Sequence, residues 1–296
     1  MENNIDGYLQ NLKAEMKDCD RATVQDALSD AEEYLRNALD NVKAGKPGVT
    51  EQNVFDAIVE EYGTPAEIAD AYRKIEARTS PSLSVRTQKK NRSFLTRFFG
   101  VVIEPRAWGA LLYLLFTLAT GIIYFTWTVT GISLSLGLLI LIIGIPIADL
   151  FILSTRGLVL LEGRMVEALL GIRMPHRPLF SSKDKGIWAK FIALLTDKYT
   201  WFSMVYMLLQ LPLGVAYFSV FITLISTSLA LVAAPIWGWA LNLPMFTNNG
   251  TQYILNGWLT PFLTVAGVIL FFATLHLAKI IGSIHGKLAK TMLVRE

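Results

Sequence analysis

The chain has 296 residues and a formal net charge of +3 at pH 7; 53% of its residues are hydrophobic and only 17% are charged. Globular domains carry about a quarter charged residues, so this composition, with a mean hydropathy of +0.43, excludes an ordinary soluble protein. A single cysteine excludes an intrachain disulfide framework, and the small net charge averages an acidic head with basic loops and gives no sign of direct nucleic-acid binding.

The charge is unevenly placed. Asp, Glu, Lys and Arg are absent from Ala107 to Ala148 and again from Tyr199 to Ala278. Such uncharged apolar stretches of about 18 residues or more are membrane-spanning in character. The expected fold is therefore all-α: a small four-helix head over 1–77, a polar linker over 78–92, and a polytopic membrane domain over 93–296. The N-terminus, "MENNIDGYLQ", has neither the basic nor the apolar region of a signal peptide, so none is expected. Cys19 is expected as a small half-buried helix residue in a reducing cytosol.

In the head, Ile5, Tyr8, Leu9, Leu12 and Met16 form one apolar stripe at helical spacing. Val24, Ala27, Leu28, Ala31, Leu35, Ala38, Leu39 and Val42 form a second, which "KAGKPG" (43–48) ends. Thr50 is positioned to cap a third helix carrying Val54, Phe55, Ile58, Val59 and Tyr62, with Gly63 as its stop. A fourth helix opens at "TPAE", with Thr64 at N-cap, Pro65 at N1 and Glu67 at N3, a capping box with its preferred proline. The segments "IDGYLQNLKAEM", "VQDALSDAEEYLRNAL" and "EEYGTPAEIADAY" resemble the small helical HAAS signalling domain over about residues 4–76. That resemblance implies association with a PadR-type transcription regulator. "EEYLR" (32–36) offers the acids of a CAAX-type protease motif but sits in a soluble helix without an intramembrane histidine set; it is a solvated helix face.

The linker, which begins in "EARTSPSLSVRTQKKNR", lacks apolar periodicity. After it, Phe94, Leu95, Phe98, Phe99, Val101 and Val102 stand beside Arg92, Arg97 and Arg106, a mixture suited to the membrane–water interface. Four spans follow, at about 108–130, 132–155, 201–224 and 258–281. Lys and Arg crowd the segment before the first span, the loop between the second and third, and the tail after the fourth. The turn at Thr130–Ser133 and the segment 225–257 carry none. The positive-inside rule then places head, middle loop and tail in the cytosol of a multi-pass inner or plasma membrane protein. A fifth span at 226–245 would put the basic tail outside, and Pro235, Gly238 and Pro244 interrupt it. The segment 225–257 reads instead as an outer apolar flap or re-entrant piece.

"WGALLYLLFTLATGIIYF" (108–125) and "WFSMVYMLLQLPLGVAYF" (201–218) align at a shift of 93 residues. Trp108 falls on Trp201, Tyr113 on Tyr206, Gly121 on Gly214, and Glu104 on Asp197. Beyond the first hairpin the best shift becomes 123, with Arg156 on Lys279 and Gly163 on Gly286. The expectation is two parallel two-span repeats, with the glycines allowing close helix approach. "LTDKYTWFSMVYMLLQLPLGVAYFSVFITLIS" resembles the duplicated sensor domain at the N-terminus of some bacterial histidine kinases. Its Asp-Pro-x-Thr-Trp and Tyr-Leu-Leu-x-x-Pro-Leu-Gly motifs are matched by Asp197, Thr200, Trp201, Tyr206, Pro212, Leu213 and Gly214. The first copy has Ala119 and Thr120 in place of Pro-Leu. "RGLVLLEGRMVEALLG" (156–171) matches that family's basic helix, and the resemblance spans about 95–293.

Asp149, the acid embedded in an apolar span, is the candidate intramembrane ionisable residue, with Arg156 as an alternative partner. Trp237, Trp239, Phe246, Tyr253 and Trp258 are candidate lining residues for an amphiphile, and Trp108, Tyr113, Gly121, Trp201, Tyr206 and Gly214 are candidate repeat-packing residues. His176, His276 and His285 are too scattered for a metal site, "NGT" (249–251) reads as a turn, and no hydrolase, phosphate-loop or paired-carboxylate motif occurs. No cofactor, metal or catalytic residue is expected. The sequence thus points to a non-enzymatic membrane sensor or regulator coupling an amphiphile or bilayer signal to a cytosolic, transcription-regulator-like partner through its head. Membrane lipids are a second class of partner, and homo-oligomerisation is compatible with it. The alternatives are a transporter or lipid-handling protein, and a passive scaffold.

Overall fold

The computed structural model describes residues 2–45, 51–78, 98–138, 144–177, 192, 195–236, 246–249, 251–253 and 258–294. The helices are α1 (Glu2–Glu15), α2 (Arg21–Gly45), α3 (Glu51–Tyr62), α4 (Pro65–Arg78), α5 (Pro105–Leu138), α6 (Gly144–Leu170), α7 (Lys198–Val232) and α8 (Thr260–Leu293). A 3-10 turn over Gly100–Ile103 precedes α5, and β1 (Phe246–Asn248) and β2 (Thr251–Tyr253) form a small antiparallel hairpin. The hairpin is the one β feature among the described residues of an otherwise all-helical architecture, and it lies within the expected outer segment.

Helices α1–α4 close around one core. Ile5, Tyr8, Leu12 and Met16 of α1 meet Ala27, Ala31, Leu35 and Leu39 of α2, with Ile58 of α3 and Ala69 of α4. Asp20 caps α2, its Oδ1 accepting the Ala22 N–H at 2.9 Å. Gly63 ends α3 at a φ of +114°, a value that favours glycine, and its N–H returns to the Val59 carbonyl. The capping box at the start of α4 is formed: Thr64 N–H donates to Glu67 Oε2 at 2.8 Å, and Glu67 N–H donates to Thr64 Oγ1 at 3.4 Å. Thr50, the expected cap of α3, lies outside the described residues, as does most of the 78–92 linker.

Helices α5–α8 are long and apolar enough to cross a membrane, which gives four spans. At 1.5 Å per residue they run roughly 40–50 Å, longer than an apolar layer of about 30 Å. Their boundaries correct the expected turn at Thr130–Ser133, because α5 continues through it to Leu138. A mid-helix glycine costs only about 1 kcal/mol, and Gly131 has a packing use: a Cβ there would lie 2.1 Å from the Phe151 ring. Likewise α7 extends eight residues into the outer segment, and α8 fuses the fourth span with the basic tail. Ile122, Ile123, Val215, Val220, Phe262, Val265 and Ile269 are exposed on these helices, as lipid-facing side chains are.

The chain divides into two units. The first holds Met1–Ser84, Thr126–Met207 and Lys287–Glu296, and the second Val85–Phe125 and Leu208–Gly286. Within the first, Ile145, Ala148, Phe151 and Ile152 of α6 pack with Met204 of α7 and Ile132 of α5. Within the second, α5 and α7 cross at two glycines. A Cβ on Gly121 would meet the Gln210 carbonyl oxygen at 2.7 Å, and one on Gly214 would meet the Thr117 carbonyl oxygen at 2.5 Å. Both separations are shorter than a Cβ tolerates, so only glycine permits this backbone contact.

Candidate functional site

Within the first unit, the C-terminus of α6 leads directly to the N-terminal helices. Gly171, at a φ of +69°, ends α6, its N–H returning to the Glu167 carbonyl at 3.1 Å. Residues Ile172–Arg177 then form an irregular strap. Met174 is buried and packs beside Gly163, where an added Cβ would make an ordinary contact at 3.4 Å. His176 Nε2 lies 2.5 Å from Glu167 Oε2, tying the strap back to α6.

The outer edge of the strap meets the carboxylates of α2. Asp26 Oδ1 accepts the backbone N–H of His176 at 2.8 Å and that of Arg177 at 3.0 Å. Arg177 Nη1 pairs with Asp30 Oδ1 at 2.6 Å and stands 3.7 Å from Glu33 Oε2. The Tyr72 hydroxyl donates to the other Asp30 oxygen at 2.7 Å, and Lys290, near the end of α8, donates to Asp20 Oδ2. Asp26 is only 8% exposed. That burial pushes its carboxyl above the usual aspartate range, a rise opposed by the two N–H donors.

Several polar groups among the long helices are paired, which offsets the cost of withdrawing them from water. In the first unit Arg156 donates to Asp197 Oδ2 at 3.2 Å, and the Tyr206 hydroxyl donates to Glu162 Oε1 at 3.0 Å. Trp201 Nε1 donates to the Leu195 carbonyl at 2.8 Å. In the second unit Lys279 donates to both Glu104 oxygens at 2.7 and 2.8 Å. His285 Nδ1 lies 3.3 Å from the Tyr217 hydroxyl, and its ring lies 5.3 Å from that of Tyr113. Trp108 Nε1 donates to the Val102 carbonyl at 2.8 Å. Phe98, just before the 3-10 turn, stacks on His276 and offers it its carbonyl at 3.1 Å.

The residues singled out in the sequence fall in different places. Tyr113 and Tyr206 are fully buried, Gly121 and Gly214 form the crossing, and the indole N–H of both Trp108 and Trp201 is bonded six residues back. Asp149 is half-buried on α6, and Arg156, its alternative partner, is taken by Asp197. Trp258 is 68% exposed against Phe262, so it forms part of an outer surface. Phe246 and Tyr253 are backbone partners in the hairpin register, while Trp237 and Trp239 lie outside the described residues. Among the described residues no three metal-ligating side chains cluster.

Glu162 was missed as a site residue. It is 1% exposed and continues the buried α6 series Ala148, Ile152, Thr155, Val159, Val166 and Leu170, whose helical periodicity already marked its position. Asp20, Asp26 and Asp30 were also missed, because their partners lie far along the chain.

A family model described as "Putative sensor" matches residues 113–293. The chain belongs to this sensor family. No curated protein and no solved structure matches the chain. The matched stretch of the sensor family takes in α6, the strap, α7 and α8, whereas Asp20, Asp26 and Asp30 precede it. The strap contacts therefore join the sensor region to helices outside it.

Proposed function

We propose that the protein is a non-enzymatic integral membrane sensor or regulator. It is multi-pass in the cell membrane with both termini cytosolic. The sensor region responds to an amphiphile or to the state of the bilayer, and the α1–α4 head carries the response to a cytosolic, transcription-regulator-like partner. The observation that carries this reading is the strap: six residues connect the end of a membrane helix to bonds with the head. A shift of α6 between two packings displaces those bonds, and a ligand that prefers one packing sets the balance. A HAAS-type head with a PadR-type regulator as its partner belongs to this proposal, and the four-helix core and the capping box at Thr64 are consistent with such a head. The tryptophans at 258 and in the outer segment, with Phe246 and Tyr253, are the proposed amphiphile contacts.

The reading includes a duplication of the two-span unit. Contact pairs that correspond at the two sequence shifts support it. Arg156–Asp197 answers to Lys279–Glu104, Tyr206–Glu162 to Tyr113–His285, and the two tryptophan bonds to each other. The crossing corresponds as well, since Gly121–Gln210 and Gly214–Thr117 exchange under the same shift of 93.

The test places the full chain in vesicles of different acyl-chain length, with and without added lysophospholipid, and follows hydrogen exchange. Protection over 21–33 and 172–177 should change with the bilayer. Identical protection in every bilayer, with and without the amphiphile, would sink the sensing reading.

A further inference from the structure

Helix α2 is buried on two sides. Ala27 and Ala31 face the head's own core. Gln25 and Ser29 lie about 200° around the helix from them at 100° per residue, yet they are 5% and 6% exposed, and Asp26 is also buried. An apolar core accounts for the first side. The second is polar, and a buried polar face requires a polar cover. The strap meets Asp26 and Asp30 on the edge between the two sides, and Lys290 meets Asp20, the residue before the helix.

The manner of this contact is that of a receptor holding a peptide. One Asp26 oxygen takes two successive backbone N–H groups, which converge on a single acceptor where a segment turns. The next carboxylate, Asp30, takes a guanidinium and is itself steadied by Tyr72. Backbone donors supply position, and the arginine supplies selectivity.

We propose that the acidic edge of α2 is the head's docking surface for a turned basic segment of a cytosolic partner, and that the chain's own strap occupies it as an intramolecular stand-in. The two occupants exclude each other, because both need the Asp26 and Asp30 oxygens. This rests on the head being the output module. The Arg177 guanidinium is half-exposed and its pairing is weakened by salt, whereas the Asp26 bonds are partly buried and are made to backbone N–H groups. Release therefore requires the strap backbone to move, which a displacement of α6 accomplishes.

The test uses the full chain in nanodiscs, in a Cys19→Ser background, with a nitroxide at Asp56→Cys on the exposed side of α3. The second probe is a fluorescent peptide of residues 170–177, LGIRMPHR. In the unmodified strap background the tethered segment, at an effective concentration of about a millimolar, holds the face. The nitroxide then reports an immobilised head, and the peptide binds weakly. Arg177→Glu should raise the mobile fraction about threefold or more and tighten peptide binding about tenfold or more. Adding Asp30→Arg should re-immobilise the head and abolish peptide binding. Asp26→Ala, which removes the shared acceptor without altering strap charge, should mobilise the head and also fail to bind the peptide. Equal mobility with and without Arg177→Glu overturns the clasp. A mobilised head that binds the peptide no more tightly overturns the shared surface. Neither readout contains a cytosolic partner or a bilayer stimulus, so failure of the sensing role would leave both results unchanged.

Discussion

Glu67 is an exposed carboxylate held below the usual glutamate range by the backbone N–H of Thr64, and then by its hydroxyl. A pKa lowered on folding contributes stability that is present above the ordinary value and lost as pH falls through the lowered one. Hydrogen-exchange protection of the first turn of α4 should therefore weaken on acidification from about pH 5 to pH 3. Glu67→Gln should flatten that dependence, and equal curves for both proteins would refute the assignment. The two ion pairs of the long helices make a second residue-scale case. Arg156 and Asp197 are 13% and 19% exposed, and Lys279 and Glu104 are 33% and 38% exposed. A double-mutant cycle to alanine should give a coupling of about 1.5–3 kcal/mol for the more buried pair and about 0.2–1 kcal/mol for the other. Chemical unfolding in detergent measures both, and an inverted order would show that burial does not govern them.

At the scale of the elements, the crossing of α5 and α7 depends on two hydrogen atoms where other residues carry a methyl group. Gly121→Ala should destabilise the membrane domain by about 1–3 kcal/mol, because the added Cβ meets backbone at 2.7 Å, and a backbone carbonyl has no rotamer to yield. Thermal unfolding in detergent should show the loss, while Gly137→Ala, on the same helix with nothing within 4 Å of its Cβ, should be close to neutral. A matching loss at both positions would remove the packing explanation. The existence of α1–α8 was legible in apolar periodicity and charge-free windows, and the start of α4 in its cap. Helix ends among α5–α8 were not, because a charge-free window marks only the apolar part of a helix. Polar turns such as those that extend α8 to Leu293 continue by local propensity and side-chain contact. Glu162 shows the converse: its periodic position was visible, but a Tyr206 partner 44 residues away was not.

For the whole molecule, the strap bonds the end of α6 to α2, and Lys290 of α8 adds a second tie at Asp20. Inserting two glycines between Gly171 and Ile172 should leave the Asp26 and Asp30 bonds able to form while slackening their tie to α6. Protection over 21–33 should then persist but lose its dependence on bilayer thickness, measured by hydrogen exchange in vesicles; an undiminished dependence would place the coupling elsewhere. None of these contacts had a local sequence signature, because Asp26 and His176 are 150 residues apart and Asp20 and Lys290 are 270 apart. The same separations order events during synthesis. At about 5–20 residues per second the strap emerges roughly 8–30 s after the α2 carboxylates it will cover. Over that interval α1–α4 can close on their own local core while their acidic edge still lacks its eventual cover, so each newly made copy passes through an uncovered state before its membrane helices are in place.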